Sequence, residues 1–315
     1  MGGERLCVHS ANAAVLRTVW IIQDEGCHMI MASSHYRCCQ SHRNAWFAFT
    51  LVELLVVLAI TGILFSLLVR GLTQAKALGT GAVCLNNLKQ HQLAFLIYAG
   101  DNKERIPPNP STFDAGRRCP SWVGGDVAYI SAGNLYPTDM THVDWLIGSG
   151  EGRISPYIRS AGVYRCPGDQ QRLILDGNWI SRVRTCAMND FLDGGRDDPR
   201  NGVIGSLPSM RTPTPPELWV FIDVHDDSLG VPGFNPTPHQ DGFYVDLPAA
   251  RHRQSGTLSF ADGHALLKRW SDPRTRRPVT GVYPGNDGDV GSTCNNRDIL
   301  WLYFHATIPA PYFQP

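Results

Sequence analysis

A set of ionisable side chains gathers late in the chain: Asp223, His225, Asp226 and Asp227 in one run, then His252, Asp262 and His264. Each is expected close to the end of a strand. Carboxylates and carbonyl oxygens favour Ca²⁺, whereas imidazoles favour Zn²⁺ or another transition metal. On the calcium reading the expected ligands are Asp223, Asp226 and Asp262, although no EF-hand spacing is present. The structural alternative is that Asp262 serves a turn and His252 hydrogen-bonds a neighbouring loop. Asp–His pairs can also hold a hydrolytic metal or position a nucleophile. No G-x-S-x-G, H-E-x-x-H or phosphate-cradling glycine loop accompanies them, so an enzyme is not expected.

A second chemical oddity lies near the other end. From Phe47 to Val69 run about 23 mostly apolar residues, enough to cross a bilayer as one helix. Glu53 sits inside that run. A carboxylate in hydrocarbon costs several kcal/mol unless a partner neutralises it. The thiols are the third reactive set. Cys7, Cys27, Cys38 and Cys39 precede the apolar run, and Cys84, Cys119, Cys166, Cys186 and Cys294 follow it. Cys166 and Cys186 are the expected bridge if the space is oxidising; their loop of about 20 residues is worth roughly 3 kcal/mol when closed. No C-x-x-C occurs, which argues against a zinc ribbon.

The elements that must position these groups follow from pattern. Beyond Arg70, the residues Ala75, Leu78, Ala82, Leu85, Leu88, Gln92, Phe95 and Leu96 recur at three- and four-residue steps, which predicts an amphipathic continuation of the helix. Gly79 and Gly81 are expected to bend it. It should end near Gly100, before Pro107 and Pro108. His91 and Gln92 read as surface or packing residues. Trp122, Trp145 and Tyr157 are expected core anchors. Residues 163–166 read as a short strand before a Pro167–Gly168 turn, with residues 184–189 as its partner. Residues 218–224 are the best central strand, bounded by Pro215–Pro216 and Asp226–Asp227, and residues 243–245 are a second. Asp262–Gly263 between two apolar runs predicts a hairpin. Residues 296–302 should pack last.

The chain has 315 residues, no formal net charge, 31 glycines and 22 prolines. Without a basic bias, nucleic acid is not an expected partner. After the apolar helix, roughly 215 to 245 residues remain, enough for one loop-rich domain.

The run F-T-L-V-E-L-L-V-V-L-A-I from Phe49 resembles the N-terminus of type IV prepilins and type II secretion pseudopilins. The stretch from Cys84 to Asn102 is similar to the same segment of a large pseudopilin-like family of the DUF1559 type. His252, nine residues, then Asp262–Gly263 resembles that family's C-terminal H-X9-DG signature. Asp223, His225 and Asp226 also match its F-I-D-E-H-x-D-S stretch, with Val224 in place of an acid. The resemblance implies that a prepilin peptidase cuts between Ala48 and Phe49 and methylates the new amine. Ala48 stands where the family has Gly. Glu53 would then meet the N-terminus of a neighbouring subunit and set the stagger of a fibre. Major pseudopilins resembling this class often hold Ca²⁺ in a C-terminal loop.

The expected architecture is α+β. Residues 1–48 form a leader, with Met31 an alternative start. Residues 49–100 form a transmembrane and scaffold helix, and residues 101–315 an ectodomain built on an antiparallel sheet. The expected function is a pseudopilin-like structural subunit, made as a single-pass inner-membrane precursor with its ectodomain in the periplasm or on the cell surface. Its partners would be further copies or other pseudopilins. The alternative is a monomeric, membrane-anchored ectodomain that binds a ligand such as a glycan.

Overall fold

The structure is a computed structural model. It describes residues 6–7, 20–23, 26–27, 50–109, 120–125, 141–148, 150, 152–175, 178–198, 201–238, 246–280 and 295–307. The chain divides into two compact units, Met1–Leu64 and Phe65–Pro315. In the first unit, β1 (Leu6–Cys7), β2 (Trp20–Gln23) and β3 (Gly26–Cys27) form a small antiparallel sheet in the order β1-β2-β3.

Helix α1 (Leu51–Asp101) is continuous through both units. It carries an apolar segment long enough to span a membrane, and that segment buries none of its residues against the rest of the chain. Its polar groups are handled locally. Thr61 Oγ1 donates to Val57 O at 2.9 Å and Thr73 Oγ1 to Arg70 O at 2.9 Å, so neither hydroxyl needs water.

The expected bend at Gly79 and Gly81 does not interrupt the helix. Gly79 has open space around it, and Gly81 serves contact instead. A Cβ there would lie 3.3 Å from Leu267 Cδ1 and 3.6 Å from the His252 ring. Burial begins at Gly81 and follows Cys84, Leu88, His91, Gln92, Phe95 and Ala99. Those steps of three and four make one face of a 3.6-residue period. The expected stripe is therefore right in period but met only from Leu88 onward, since Ala75, Leu78 and Ala82 are exposed and Leu85 is half-buried.

That face packs on a five-stranded sheet of order β10-β9-β7-β6-β8. Its strands are β6 (Cys186–Asn189), β7 (Trp219–Asp223), β8 (Gly233–Phe234), β9 (Ser255–Phe260) and β10 (Ala265–Arg269). The sheet is mixed rather than wholly antiparallel. Residues 224–232 carry the chain from β7 past β6, and the two-residue β8 then joins β6 in parallel. A separate antiparallel pair joins β4 (Leu173–Leu175) and β5 (Asn178–Ile180). Residues 161–164 form a 3-10 helix, not the expected strand. The partner of β6 is instead β7, paired Cys186 to Asp223.

Strand β7 reads as an unbroken apolar run because both faces are covered. Leu218, Val220 and Phe221 join Phe95 and Trp122 in the core under α1. Trp219, Ile222 and Val224 join Phe234, Trp270, Ile299 and Leu302 on the far side. The register slips between Trp219 and Phe221, so consecutive Val220 and Phe221 serve one core. A short helix, α2 (Asp144–Ile147), adds Leu146 to the first core, and α3 (Arg297–Phe304) closes the second. Asn296 caps α3 by accepting from the Asp298 and Ile299 amides. Trp122 is fully buried, whereas Trp145 and Tyr157 are half-buried. The expected strand at 243–245 lies outside the described residues.

Candidate functional site

Strand β7 ends on Asp223, and the chain then turns through Val224, His225, Asp226 and Asp227, all buried. Three other segments converge there. Helix α1 brings Cys84. The turn after the 3-10 helix brings Cys166. The tight turn into β9 brings Arg251 and His252. The thiols of Cys84 and Cys166, a carboxylate oxygen of Asp223 and a ring nitrogen of His252 all lie within 4.8 Å of one another. Cys166 Sγ is 3.2 Å from His252 Nε2.

The local sequence explains the approach. Gly168 leaves room for it, since a Cβ there would stand 3.2 Å from His252 Cε1 and 3.3 Å from Cys166 Sγ. Arg253 and Gln254 both adopt positive φ, 55° and 65°. Residues with a Cβ avoid that region, so the His252–Ser255 turn is held in place by its surroundings. His252 N donates to Ser255 O at 3.3 Å and Ser255 N returns to His252 O at 3.1 Å.

Beside the thiols lies a buried ionic lattice. Arg251 Nη1 donates to Asp223 Oδ2 at 2.7 Å, and its Nη2 reaches Val224 O and Asp226 Oδ1. Arg182 Nη2 donates to Asp226 Oδ1 at 2.6 Å and Nη1 to Asp226 O at 2.7 Å. Asp169 adjoins Arg182 at 3.9 Å. Burial works against the Asp226 carboxylate, but Arg251 and Arg182 outweigh it and hold its pKa below the usual range. Burial raises Asp169 despite the same two arginines. Burial also lowers the His225 imidazole, whose Nε2 lies 3.1 Å from Arg277 O. The neighbouring Cys84 thiol and burial keep Cys166 protonated, the Cys84 contact being the larger cause.

The geometry corrects two expectations. Asp223, Asp226 and Asp262 do not form one calcium site. Asp262 belongs to the β9–β10 turn, at the Trp219 end of β7, whereas Asp223 ends that strand. Its Oδ1 bonds His264 N at 3.0 Å and His264 Nδ1 at 2.6 Å, and Gly263 takes φ +101°. Asp262 and Gly263 therefore serve the hairpin, as the structural alternative has it. Asp223 and Asp226 are neighbours, but Arg251 lies between them where a calcium ion would need to sit. Cys166 and Cys186 are not bonded, and both are free buried thiols. They are drawn to different partners: Cys166 to His252, and Cys186 to His91 at 3.8 Å and Tyr164 O at 3.6 Å.

His252 is not a simple loop anchor, because its ring faces Cys166. Cys84 and Cys166 escape a sequence search, since they are far apart in the chain and lack C-x-x-C spacing. Only the i, i+3, i+4 stripe that includes Cys84 hints that its thiol faces inward.

At the start of α1, Thr50 and Glu53 form a capping box. Thr50 N and Oγ1 each donate to Glu53 Oε2 at 2.8 Å, and Glu53 N donates to Thr50 Oγ1 at 3.2 Å. The carboxylate thus has partners within its own chain. Ala48 and Phe49, the expected processing pair, lie outside the described residues.

His91 is a packing residue, fully buried rather than at the surface. It stands edge-on to Tyr164 and Trp122, with Nδ1 2.9 Å from Asn87 O. Gln92 is also buried and accepts from Ser259 Oγ at 3.1 Å. Desolvation pulls the His91 pKa from 6.5 to about 4 against the Asn87 bond, with the Arg184 charge adding to it. The folded pKa is below the unfolded one, so the unfolded chain binds more protons between them. The stability that neutral His91 provides is full above pH 6.5 and lost as pH falls towards 4, about 3 kcal/mol in all. Asp190 and Asp246, raised by burial to about 7 and about 8, oppose this slope. The readout is therefore the difference between wild type and His91→Phe in urea unfolding. Wild type is expected to lose ground steadily between pH 6.5 and 4, and parallel curves would show that water reaches the ring.

No protein-family model, curated protein or solved structure matches this chain.

Proposed function

We propose that the chain is a pseudopilin-like structural subunit. In this reading it is made as an inner-membrane precursor, cut by a prepilin peptidase between Ala48 and Phe49, and assembled through α1 into a short fibre. The observation that carries the reading is the unequal use of one helix. From Gly81 onward α1 is buried in the core of an α+β body, while residues 51–76 leave every side chain exposed. Leu51, Leu54, Leu58, Phe65 and Leu68 stay more than half exposed. So large an apolar surface needs a partner. A bilayer can cover it before assembly and like helices afterwards, through many small dispersion contacts. Glu53, in the first turn, would then face a neighbour's amine.

The capping box favours the second reading, a monomeric anchored ectodomain. Thr50 already satisfies the Glu53 carboxylate without a second chain. The first test is mass spectrometry of the N-terminus of protein isolated from cells with a working prepilin peptidase. The expected species begins at a methylated Phe49. A chain that keeps residues 1–48 intact removes the fibre reading and leaves the anchored monomer.

A further inference from the structure

We propose that Cys84, Cys166, Asp223 and His252 form a binding site for a single thiophilic transition-metal ion, with Zn²⁺ the best fit. The site lies wholly within the folded body, and the proposal does not depend on the fibre reading.

Two thiols, an imidazole and a carboxylate make a donor set that suits Zn²⁺ and does not suit Ca²⁺ or Mg²⁺. The donors come from α1, the turn after the 3-10 helix, the end of β7 and the turn into β9, so the tertiary fold itself assembles them. Around tetrahedral zinc, donors stand about 3.3 to 3.8 Å apart. These four lie within 4.8 Å of one another. Closing on an ion therefore takes movements of about 1 Å or less.

Orphaned polar atoms supply an independent sign. Asp223 Oδ1, His252 Nδ1 and Thr257 Oγ1 are buried without a hydrogen-bond partner among the described residues. Each such atom costs about 1 to 3 kcal/mol when left unsatisfied. A small cavity lined in part by Cys84, Cys166, Asp223 and Thr257 lies against two of these three residues. An ion bound by Asp223 Oδ1 would remove one of these penalties outright. Arg251 already holds Asp223 Oδ2, the outer-sphere bond that fixes how a ligating carboxylate points. The positive-φ turn at Arg253–Gln254 fixes the backbone that carries His252.

Binding is a ligand exchange without electron transfer. M²⁺ enters, the Cys84 and Cys166 thiols each release a proton to buffer, and two metal–sulfur bonds form. The competing fate is a Cys84–Cys166 disulfide, which needs an external two-electron oxidant and cannot coexist with the site.

The experiment uses the full chain in detergent, reduced, freed of metal and titrated with Co²⁺ alone. The expected result is saturation at one ion per chain, with a thiolate-to-cobalt charge-transfer band that Zn²⁺ abolishes. Zn²⁺ should also slow the alkylation of Cys84 and Cys166, both buried already, read as a rate by peptide mapping of wild-type protein. Cys84→Ser and Cys166→Ser should each lose the band, whereas His264→Ala, at the exposed hairpin, should retain it. The mapping keeps the test decisive if the serine variants misfold. The proposal is overturned if reduced wild type shows no thiolate band. It is also overturned if the band survives in both serine variants, or if freshly isolated protein carries a Cys84–Cys166 disulfide.

Discussion

Replacing Arg251 by Met is expected to lower the unfolding free energy by about 3 to 5 kcal/mol, the usual cost of stranding a buried charge. Among the described residues Arg251 is the sole cation on Asp223, bonding Oδ2 at 2.7 Å, and it shares Asp226 with Arg182. The Asp223 side chain is only 3% exposed and that of Arg251 only 9%. Met fills much of the volume of the arginine stem but leaves the buried Asp223 carboxylate without its counter-ion. Asp226 keeps Arg182, so the loss centres on Asp223. Adding Asp223→Asn to the Met variant should recover part of it, because the stranded charge is then gone. Urea unfolding in the presence of a chelator measures this, since an ion at the thiols would otherwise mask the loss. A cost below about 1 kcal/mol would mean that Arg251 behaves as a surface ion pair, screened by water.

On the proposed fibre reading, exchanging Glu53 for Gln is expected to abolish assembly while leaving the folded body unchanged. The capping box accepts Gln as well as Glu at this position, because the Gln carbonyl can still receive the Thr50 N–H and hydroxyl protons. Gln carries no charge for a neighbour's α-amine. Breaking a buried ion pair costs about 3 to 5 kcal/mol, which at about 1.4 kcal/mol per decade is a loss of more than about 100-fold at each interface. The measurement is fibre yield from membranes, with thermal unfolding of the detergent-solubilised variant as the control for fold. If the Glu53→Gln variant assembles as well as wild type, Glu53 is a helix cap alone and sets no stagger; if wild type itself yields no fibre, the anchored monomer is favoured. Glu53→Ala is the weaker test, since it removes cap and charge together.

The helix, the central strand and the late hairpin were legible because their signals are local. Recurrence of apolar residues at three- and four-residue steps marked the scaffold half of α1. A bounded apolar run marked β7, and Asp262–Gly263 marked a turn that needs positive φ. The early part of the body was less legible. Residues 161–164 became a 3-10 helix because one apolar turn cannot declare its period, and β8 joined β6 in parallel through a pairing that no turn residue announces.

Local pattern alone determined that one apolar helix starts near Phe49, that it continues as a scaffold, and that an acid stands close to its start. Those features depend on neighbours three or four residues apart, and chain order encodes them directly. Only the tertiary structure decided what the ionisable side chains do. Asp262 was parted from Asp223 by the length of β7, Arg251 was set between Asp223 and Asp226, and Cys84 was brought to Cys166 and His252. Such meetings depend on how a helix face docks on a sheet, across separations of roughly 80 residues and more, and distance along the chain carries no record of them.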